Sequence, residues 1–180
     1  FTYMSDNADS LSSCCRLRNE IQDNGFSYTL GAGGVSTGSK SVLTINLNRC
    51  IQYAVKNGKK YMEFLEDIVD TVHKVQLGYN ENLKELQKQG MLPLFDAGFI
   101  SIGRQYLTIG INGLVEAAEF LGIQITDNQY YATFVQQVLG LIEKYNKRYR
   151  TKDTLFNCEM IPAENVGVKH LMNVKTVAER

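Results

Sequence analysis

Two adjacent cysteines, Cys14 and Cys15, are the residues in this sequence best suited to covalent chemistry. They lie in a polar, serine-rich segment and are followed by Arg16 and Arg18, whose positive charge favours the thiolate form of a nearby cysteine. A structural cysteine more often stands alone on an apolar face. The residues themselves leave three alternatives open: an incidental pair, redox or nucleophilic thiols, or metal ligands.

A glycine-rich segment, from Gly31 to Gly38, is a second candidate because bare backbone amides can bind phosphate. Its spacing does not fit a P-loop, since Ser39 intervenes between Gly38 and Lys40, and the segment leads into a strand rather than a helix. Two interpretations of this segment remain open. It is either a tightly curved connection between two strands or a loop that faces a substrate.

The other reactive residue types give little support to hydrolysis or metal binding. The two histidines are His73 and His170, and we predict that His73 lies on a solvated helix face beside Lys74. So few imidazoles provide no Ser-His-Asp or Cys-His constellation, and no histidine and carboxylate set has metal spacing. Cys50 and Cys158 each fall in an apolar pattern and are predicted to be core residues.

Strand and helix patterns alternate along the chain and predict an α/β layer or barrel. Apolar residues at steps of three and four predict a long helix over 50–79, with a break at Gly58, and a short one over 82–89. Residues 1–25 lack periodicity and are predicted to form a loop with one helical turn. We predict strands over 26–30, 41–48, 99–102, 106–109 and 155–161, and helices over 114–121, after an Asp127-Asn128 cap, and from 165 onward.

The composition is that of a globular domain: 180 residues, 44% hydrophobic and 21% charged. Nineteen basic residues balance nineteen acidic ones, so no net charge points to nucleic acid or an anionic membrane. Four scattered cysteines do not make a disulfide scaffold. Without a long apolar run or a signal-like segment, we expect a cytoplasmic protein with neither membrane nor nucleic acid as partner.

Four stretches of the sequence resemble the anaerobic (class III) ribonucleoside-triphosphate reductases. They follow one another in order along nearly the whole chain, which makes them more specific together than any single motif. The stretches are SLSSCCRLRN at 10–19, TLGAGGVSTGSKSVLTINLNR at 29–49, YLTIGINGLVEAA at 106–118 and EMIPAENVGVK at 159–169.

The resemblance implies a fold, namely part of the ten-stranded α/β barrel of the glycyl radical enzymes, with its finger loop. Residues 1–180 would then be a fragment of the catalytic barrel domain. Its parts would be a finger loop over about 8–25, a strand, glycine-rich turn and strand over 26–48, a long helix over 50–79, and strand and helix units over 99–180.

The resemblance also implies a reaction, the anaerobic conversion of ribonucleoside triphosphates to 2′-deoxyribonucleoside triphosphates for DNA synthesis. Cys15, directly before Arg16, aligns with the family's finger-tip cysteine and would form the thiyl radical that removes the ribose 3′ hydrogen, with Cys14 as second choice. The radical would come from a glycyl radical outside this chain, made by an S-adenosylmethionine iron-sulfur activase. Formate or a dithiol protein would be the reductant.

On the same resemblance, Ser39, Thr44 and Asn46 are candidates to line the ribose. Alternate strand residues point to opposite faces, so we expect that not all three face the substrate. The triphosphate is expected at two helix starts. Gly110, Asn112 and Gly113 form one, where a glycine turn for close packing of strand and helix is an equally open interpretation. Glu164 and Asn165 form the other, where Glu164 is either a first-turn carboxylate favoured by the helix dipole or a polar active-site contact.

The family's glycyl-radical segment, four-cysteine structural zinc site and nucleotide-binding regulatory cone would lie outside this chain. We therefore expect a piece of a longer, homodimeric protein that is inactive by itself. Two alternatives remain open. One is a glycyl radical lyase of the pyruvate formate-lyase type, which also has vicinal cysteines, and the other is a non-catalytic nucleotide-binding module with incidental thiols.

Overall fold

The computed structural model describes residues 10–13, 17–20, 38–126 and 128–161. Within the first two ranges, β1 (Ser10–Ser13) pairs with β2 (Leu17–Glu20) as an antiparallel hairpin, with Ser13 opposite Leu17. The predicted loop with a helical turn is wrong for these segments, because SLSS and LRNE each contain a single apolar residue and so show no alternation in sequence. The strand predicted over 26–30 and the helix predicted from 165 lie outside the described residues.

A three-stranded parallel sheet forms the centre of the fold. Its strands are β3 (Ser39–Asn46), β4 (Tyr106–Asn112) and β5 (Leu155–Met160), in the order β3-β4-β5. These are three of the predicted strands, but β4 continues three residues beyond the predicted 106–109, so Gly110 and Asn112, which were predicted in a turn at a helix start, lie within the strand. The prediction for β3 extends two residues too far, because Leu47 and Asn48 already belong to the following helix.

Two long helices follow β3 on the way to β4, α1 (Leu47–Lys56) and α2 (Tyr61–Lys88), and a short third helix comes after them. The predicted break at Gly58 is present, and this glycine has a φ of 64°, which side-chain-bearing residues rarely adopt. The separate helix predicted over 82–89 is wrong. No proline or glycine interrupts residues 79–88, so α2 continues to Lys88.

The predicted strand over 99–102 is also wrong. A short helix, α3 (Pro93–Asp96), is followed by bends and a 3₁₀ turn at Ile102–Arg104. Phe99 is 74% exposed, and within the described residues no strand pairs with this segment. Its apolar residues fit a strand pattern, but a strand needs a neighbour to accept and donate its backbone hydrogen bonds.

Two further helices connect β4 to β5: α4 (Leu114–Phe120) and α5 (Gln129–Tyr149). Asn128 is the predicted cap of α5, and its side-chain oxygen accepts a hydrogen bond from the backbone nitrogen of Tyr131 at 2.8 Å. In the part of the chain that the structure describes, every helix is too short or too polar to cross a membrane.

All long helices pack against one face of the sheet. Leu107, Ile109 and Ile111 alternate along β4 and are almost completely buried in the same core as the apolar faces of the helices. The helices therefore cover only the face of the sheet that carries these three side chains. The helical residues of this core include Ile51, Leu65, Val69, Ala117, Phe134, Val138 and Ile142.

Truncation of a central core side chain is expected to destabilise the chain strongly. Ile109→Ala removes three buried carbons from the middle strand and should lower the free energy of unfolding by about 2–5 kcal/mol. Urea unfolding measures this effect. Val75→Ala, at a position that is 53% exposed on α2, is the control and should change stability by less than about 1 kcal/mol; equal effects would contradict this core assignment.

Candidate functional site

The face of the sheet opposite the helices carries mainly hydroxyl, amide and carboxylate side chains. On β4 this side of the sheet contains Thr108, Gly110 and Asn112, which alternate with the core residues. We call these residues, together with Ser39, Thr44 and Asn46 of β3 and Asn157 and Glu159 of β5, the polar face. The side chains of Val42, Tyr106 and Leu155 lie on the same side of the sheet.

A β-bulge brings Ser39 onto the polar face. The register shifts between Ser39, which pairs with Tyr106, and Ser41, which pairs with Leu107, so β3 has one extra residue there. As a result, Ser39 Oγ lies 2.7 Å from Thr108 Oγ1, on the same side as Thr44. The expectation that Ser39, Thr44 and Asn46 could not share a face is therefore wrong, because simple alternation does not include a bulge.

Three polar-face residues were missed as site residues by sequence reasoning: Thr108, Asn157 and Glu159. Thr108 Oγ1 lies 2.7 Å from Asn157 Oδ1, and Asn157 Nδ2 donates to Glu159 Oε1 at 2.9 Å. The register aligns Thr108 with Asn157, so their contact follows from the pairing of β4 with β5. The polar residues at alternate positions of both strands were the available signal.

Two helices begin side by side at the carboxyl ends of β3 and β4. Asn46 caps α1 by accepting a hydrogen bond from the backbone nitrogen of Arg49 at 3.0 Å. Gly113 precedes α4 with a φ of 71°, and a Cβ there would lie 3.1 Å from Asn48 Cβ and 3.2 Å from its backbone nitrogen. Both the backbone conformation and the close approach require glycine, so packing explains this residue fully.

Gly110 is also required by close packing. A Cβ at this position would lie 2.6 Å from Thr44 Oγ1 and 2.6 Å from Ile161 Cγ1. Neither glycine therefore needs a ligand to account for it. The neighbouring Asn112 differs, because its buried side-chain oxygen accepts no hydrogen bond from any described residue.

The two helix starts differ in charge. The first turn of α1 contains Arg49 and no acidic residue, whereas the first turn of α4 contains Glu116. A helix N-terminus attracts anions through its free amides and its dipole, and an acidic side chain there opposes a second negative charge. The start of α1 is therefore the better suited of the two to a phosphate.

The predicted residues Cys14, Cys15, Glu164 and Asn165 lie outside the described residues.

Cys50 and Cys158 pack against the core, as predicted. Burial raises the pKa of the Cys50 thiol above its usual value. Burial, followed by the negative charge of the adjacent Glu159, raises the pKa of Cys158 to about 11. Both cysteines are therefore protonated, unreactive thiols near neutral pH.

The prediction that His73 lies on a solvated face is wrong, because its side chain is completely buried. Its Nδ1 lies 2.7 Å from the carbonyl oxygen of Val69, and its Nε2 lies 2.9 Å from Asn146 Oδ1 of α5. The spacing of four residues from Val69 places His73 on the buried stripe of α2, a signal that its charged neighbour Lys74 obscures. His73 therefore links α2 to α5 and takes no part in the polar face.

Clusters of metal ligands and surface grooves are further features that could mark a site in the described residues, away from the polar face. No three His, Cys, Asp or Glu side chains among them are grouped to hold a metal ion. Two shallow grooves lie where α4 connects to α5, and no predicted site residue lines either one. They are lined by Glu119, Gly122, Ile123, Gln124, Ile125, Thr126, Asn128, Tyr131, Ala132, Val135 and Gln136.

The fold and the polar face define a parallel α/β unit of the kind that binds ligands beside the carboxyl ends of its strands. A sequence profile of the anaerobic ribonucleoside-triphosphate reductases matches residues 1–176. The chain belongs to this family, which agrees with the resemblance seen in its motifs and favours it over the lyase alternative. No curated protein matches the chain significantly.

Solved structures of related reductases share the fold. The anaerobic ribonucleotide reductase from Thermotoga maritima with glycerol in the active site has a TM-score of 0.71 and 30% identity, over 91% of this chain and 27% of that chain. The same enzyme with citrate has a TM-score of 0.65 and 31% identity, over 72% and 25%. Its complex with dATP and CTP has the same score and identity, over 72% and 23%. This chain thus spans about a quarter of the length of these relatives.

The raised pKa of Cys158 predicts slow alkylation. At pH 8 a pKa of about 11 leaves about 0.1% of the thiol ionised, roughly a hundredfold less than for an unperturbed cysteine. Iodoacetamide labelling of the folded chain, read by peptide mass spectrometry, should show a Cys158 rate that still rises with pH above 9. Unfolding in urea should abolish this difference, and rapid labelling of Cys158 at pH 8 in the folded chain would contradict the assignment.

Proposed function

We propose that this chain is part of the catalytic barrel of an anaerobic ribonucleoside-triphosphate reductase and that its polar face lies toward the ribonucleotide. The family match over residues 1–176 is the observation that carries this proposal. The position of Ser39, Thr44 and Asn46 on one face, opposite the helices, supports the second part.

The sheet is suited to a larger barrel. Among the described strands, β3 and β5 each have one edge without a partner, and unpaired edges of a parallel sheet are normally covered. A ten-stranded barrel would continue the sheet on both sides, with the helices outside and the polar face inside. The β1–β2 hairpin would then belong to the finger loop, with Cys14 and Cys15 in the connection between its strands.

In this proposal Cys15 carries the hydrogen-atom transfer. The glycyl radical, which an S-adenosylmethionine iron-sulfur activase generates outside this chain, supplies the unpaired electron. Cys15 gives up its S–H hydrogen atom, its sulfur then removes the ribose 3′ hydrogen atom, and it returns one at the end of the reaction. The 2′ hydroxyl leaves as water after protonation, and formate or a dithiol protein supplies the two electrons required.

The triphosphate would lie at the carboxyl ends of the strands. The start of α1, with Arg49 and no acidic residue in its first turn, suits a polyanion there. Asn112, Glu164 and Asn165 remain proposed contacts of the triphosphate, on the basis of the family resemblance and their position at helix starts in the sequence. The relative from Thermotoga maritima is described in complex with dATP and CTP, which supports nucleotides as ligands here.

Four further properties are also proposals that follow from family membership. The full-length protein would be a homodimer with a structural zinc outside this chain, it would be activated by a separate activase, and it would be cytoplasmic.

The direct test uses the full-length protein, activated anaerobically, with a ribonucleoside triphosphate deuterated at the ribose 3′ position. Cys15→Ser should abolish deoxynucleotide formation and 3′ exchange, because a serine hydroxyl cannot replace the thiol as hydrogen-atom donor. Cys14→Ser, the matched control one residue away, should retain both. Activity in both variants would refute the thiyl assignment, and loss in Cys14→Ser alone would move it to Cys14.

A further inference from the structure

A chain of hydrogen bonds crosses all three strands on the polar face and joins four side chains. Ser39 Oγ lies 2.7 Å from Thr108 Oγ1, which lies 2.7 Å from Asn157 Oδ1. Asn157 Nδ2 in turn lies 2.9 Å from Glu159 Oε1. One end of this chain, Ser39, is exposed, whereas Thr108 in its middle is completely buried.

The Glu159 carboxylate gives this chain a direction. A carboxylate oxygen can only accept, so the Asn157 atom that faces Glu159 is the amide nitrogen. The Asn157 oxygen must then face Thr108, and an amide oxygen also only accepts. Thr108 therefore donates its single hydroxyl hydrogen to Asn157 and can only accept from Ser39.

Ser39 has one hydroxyl hydrogen and two possible acceptors. It lies 2.7 Å from Thr108 Oγ1 and 3.0 Å from the carbonyl oxygen of Ser41. Two hydroxyl oxygens 2.7 Å apart need a hydrogen between them, and Thr108 uses its own toward Asn157, so Ser39 supplies it; the longer contact with the Ser41 carbonyl is then the weaker of the two. With its hydrogen used inside the sheet, the exposed Ser39 hydroxyl can act toward a ligand only as a hydrogen-bond acceptor.

Asn157 is the group that holds Glu159 in this arrangement. Within the described ranges, no lysine or arginine forms an ion pair with the Glu159 carboxylate. The β4 residue in register with it is Gly110, which has no side chain to contact it. The carboxylate thus orders the amide, and the amide orders the two hydroxyls.

We propose that Glu159, acting through Asn157 and Thr108, is a positioning residue that presents Ser39 as a hydrogen-bond acceptor to a hydroxyl group of the ribonucleotide. The inference rests on the proposed function, since it requires the ribose to lie over the polar face. Glu159 does not touch the ribose in this proposal and transfers no proton. Its effect is to remove the alternative hydrogen positions of Ser39.

The test compares steady-state kinetics of full-length, activated reductase variants with a ribonucleoside triphosphate as substrate. In Glu159→Gln, the new amide can donate to Asn157 as well as accept, so the direction is lost. The KM should rise about 3- to 10-fold, the worth of one neutral hydrogen bond, while kcat changes less than about 2-fold. Glu63→Gln, the same substitution at an exposed position on α2, is the control and should leave both unchanged.

A second pair of variants interrupts the chain in its middle. Thr108→Val keeps the shape but has no hydroxyl, and should raise the KM as Glu159→Gln does. Thr108→Ser restores the hydroxyl and should restore the KM. The effects of Glu159→Gln and Ser39→Ala should not add in the double variant, because both act through the same hydrogen bond.

An unchanged KM in Glu159→Gln and Thr108→Val, in folded protein, would overturn the inference. So would additive effects with Ser39→Ala. If either result is found while Cys15→Ser is inactive in the same assay, only the role of Glu159 is refuted. Activity of both single cysteine variants would instead refute the proposed function.

Discussion

The parallel pairing of β3 with β4 and of β4 with β5 determines every other feature of the molecule. Side chains alternate across a strand, so a fixed register divides the sheet into an apolar face and a polar one. The apolar face is buried by four helices, which contribute most of the hydrophobic stabilisation. A shift of one residue in this register would exchange the faces and bury Thr108 and Asn157 among apolar side chains.

A bulge at Ser39 interrupts this alternation at the start of β3. The extra residue turns Ser39 onto the polar face, next to Thr108, and starts a hydrogen-bonded chain that ends at Glu159. At the other end of β3, Asn46 is both the last residue of the strand and the N-cap of α1. The strand thus carries polar groups at both ends, on the side that the helices leave uncovered.

Local patterns in the sequence predict the three sheet strands, the break at Gly58 and the cap at Asn128, because each depends on residues close in sequence. They fail where distant pairing decides the outcome. Residues 99–102 have strand-like composition but no strand partner, and His73 beside Lys74 is buried only because α5 packs over it. Within the site, Ser39, Thr44 and Asn46 follow from the family resemblance, whereas Asn157 and Glu159 show in sequence only an alternation of polar residues, and the register of β4 with β5 is what places Asn157 beside Thr108.

A crystal structure of the full-length reductase with a bound ribonucleoside triphosphate would show whether the polar face binds the ribonucleotide. We expect the ribose over β3 and β4, with Ser39 Oγ within about 3.2 Å of a ribose hydroxyl and the phosphates at the carboxyl ends of the strands. A ribose bound away from this face, with Ser39 still hydrogen-bonded only within the sheet, would contradict it.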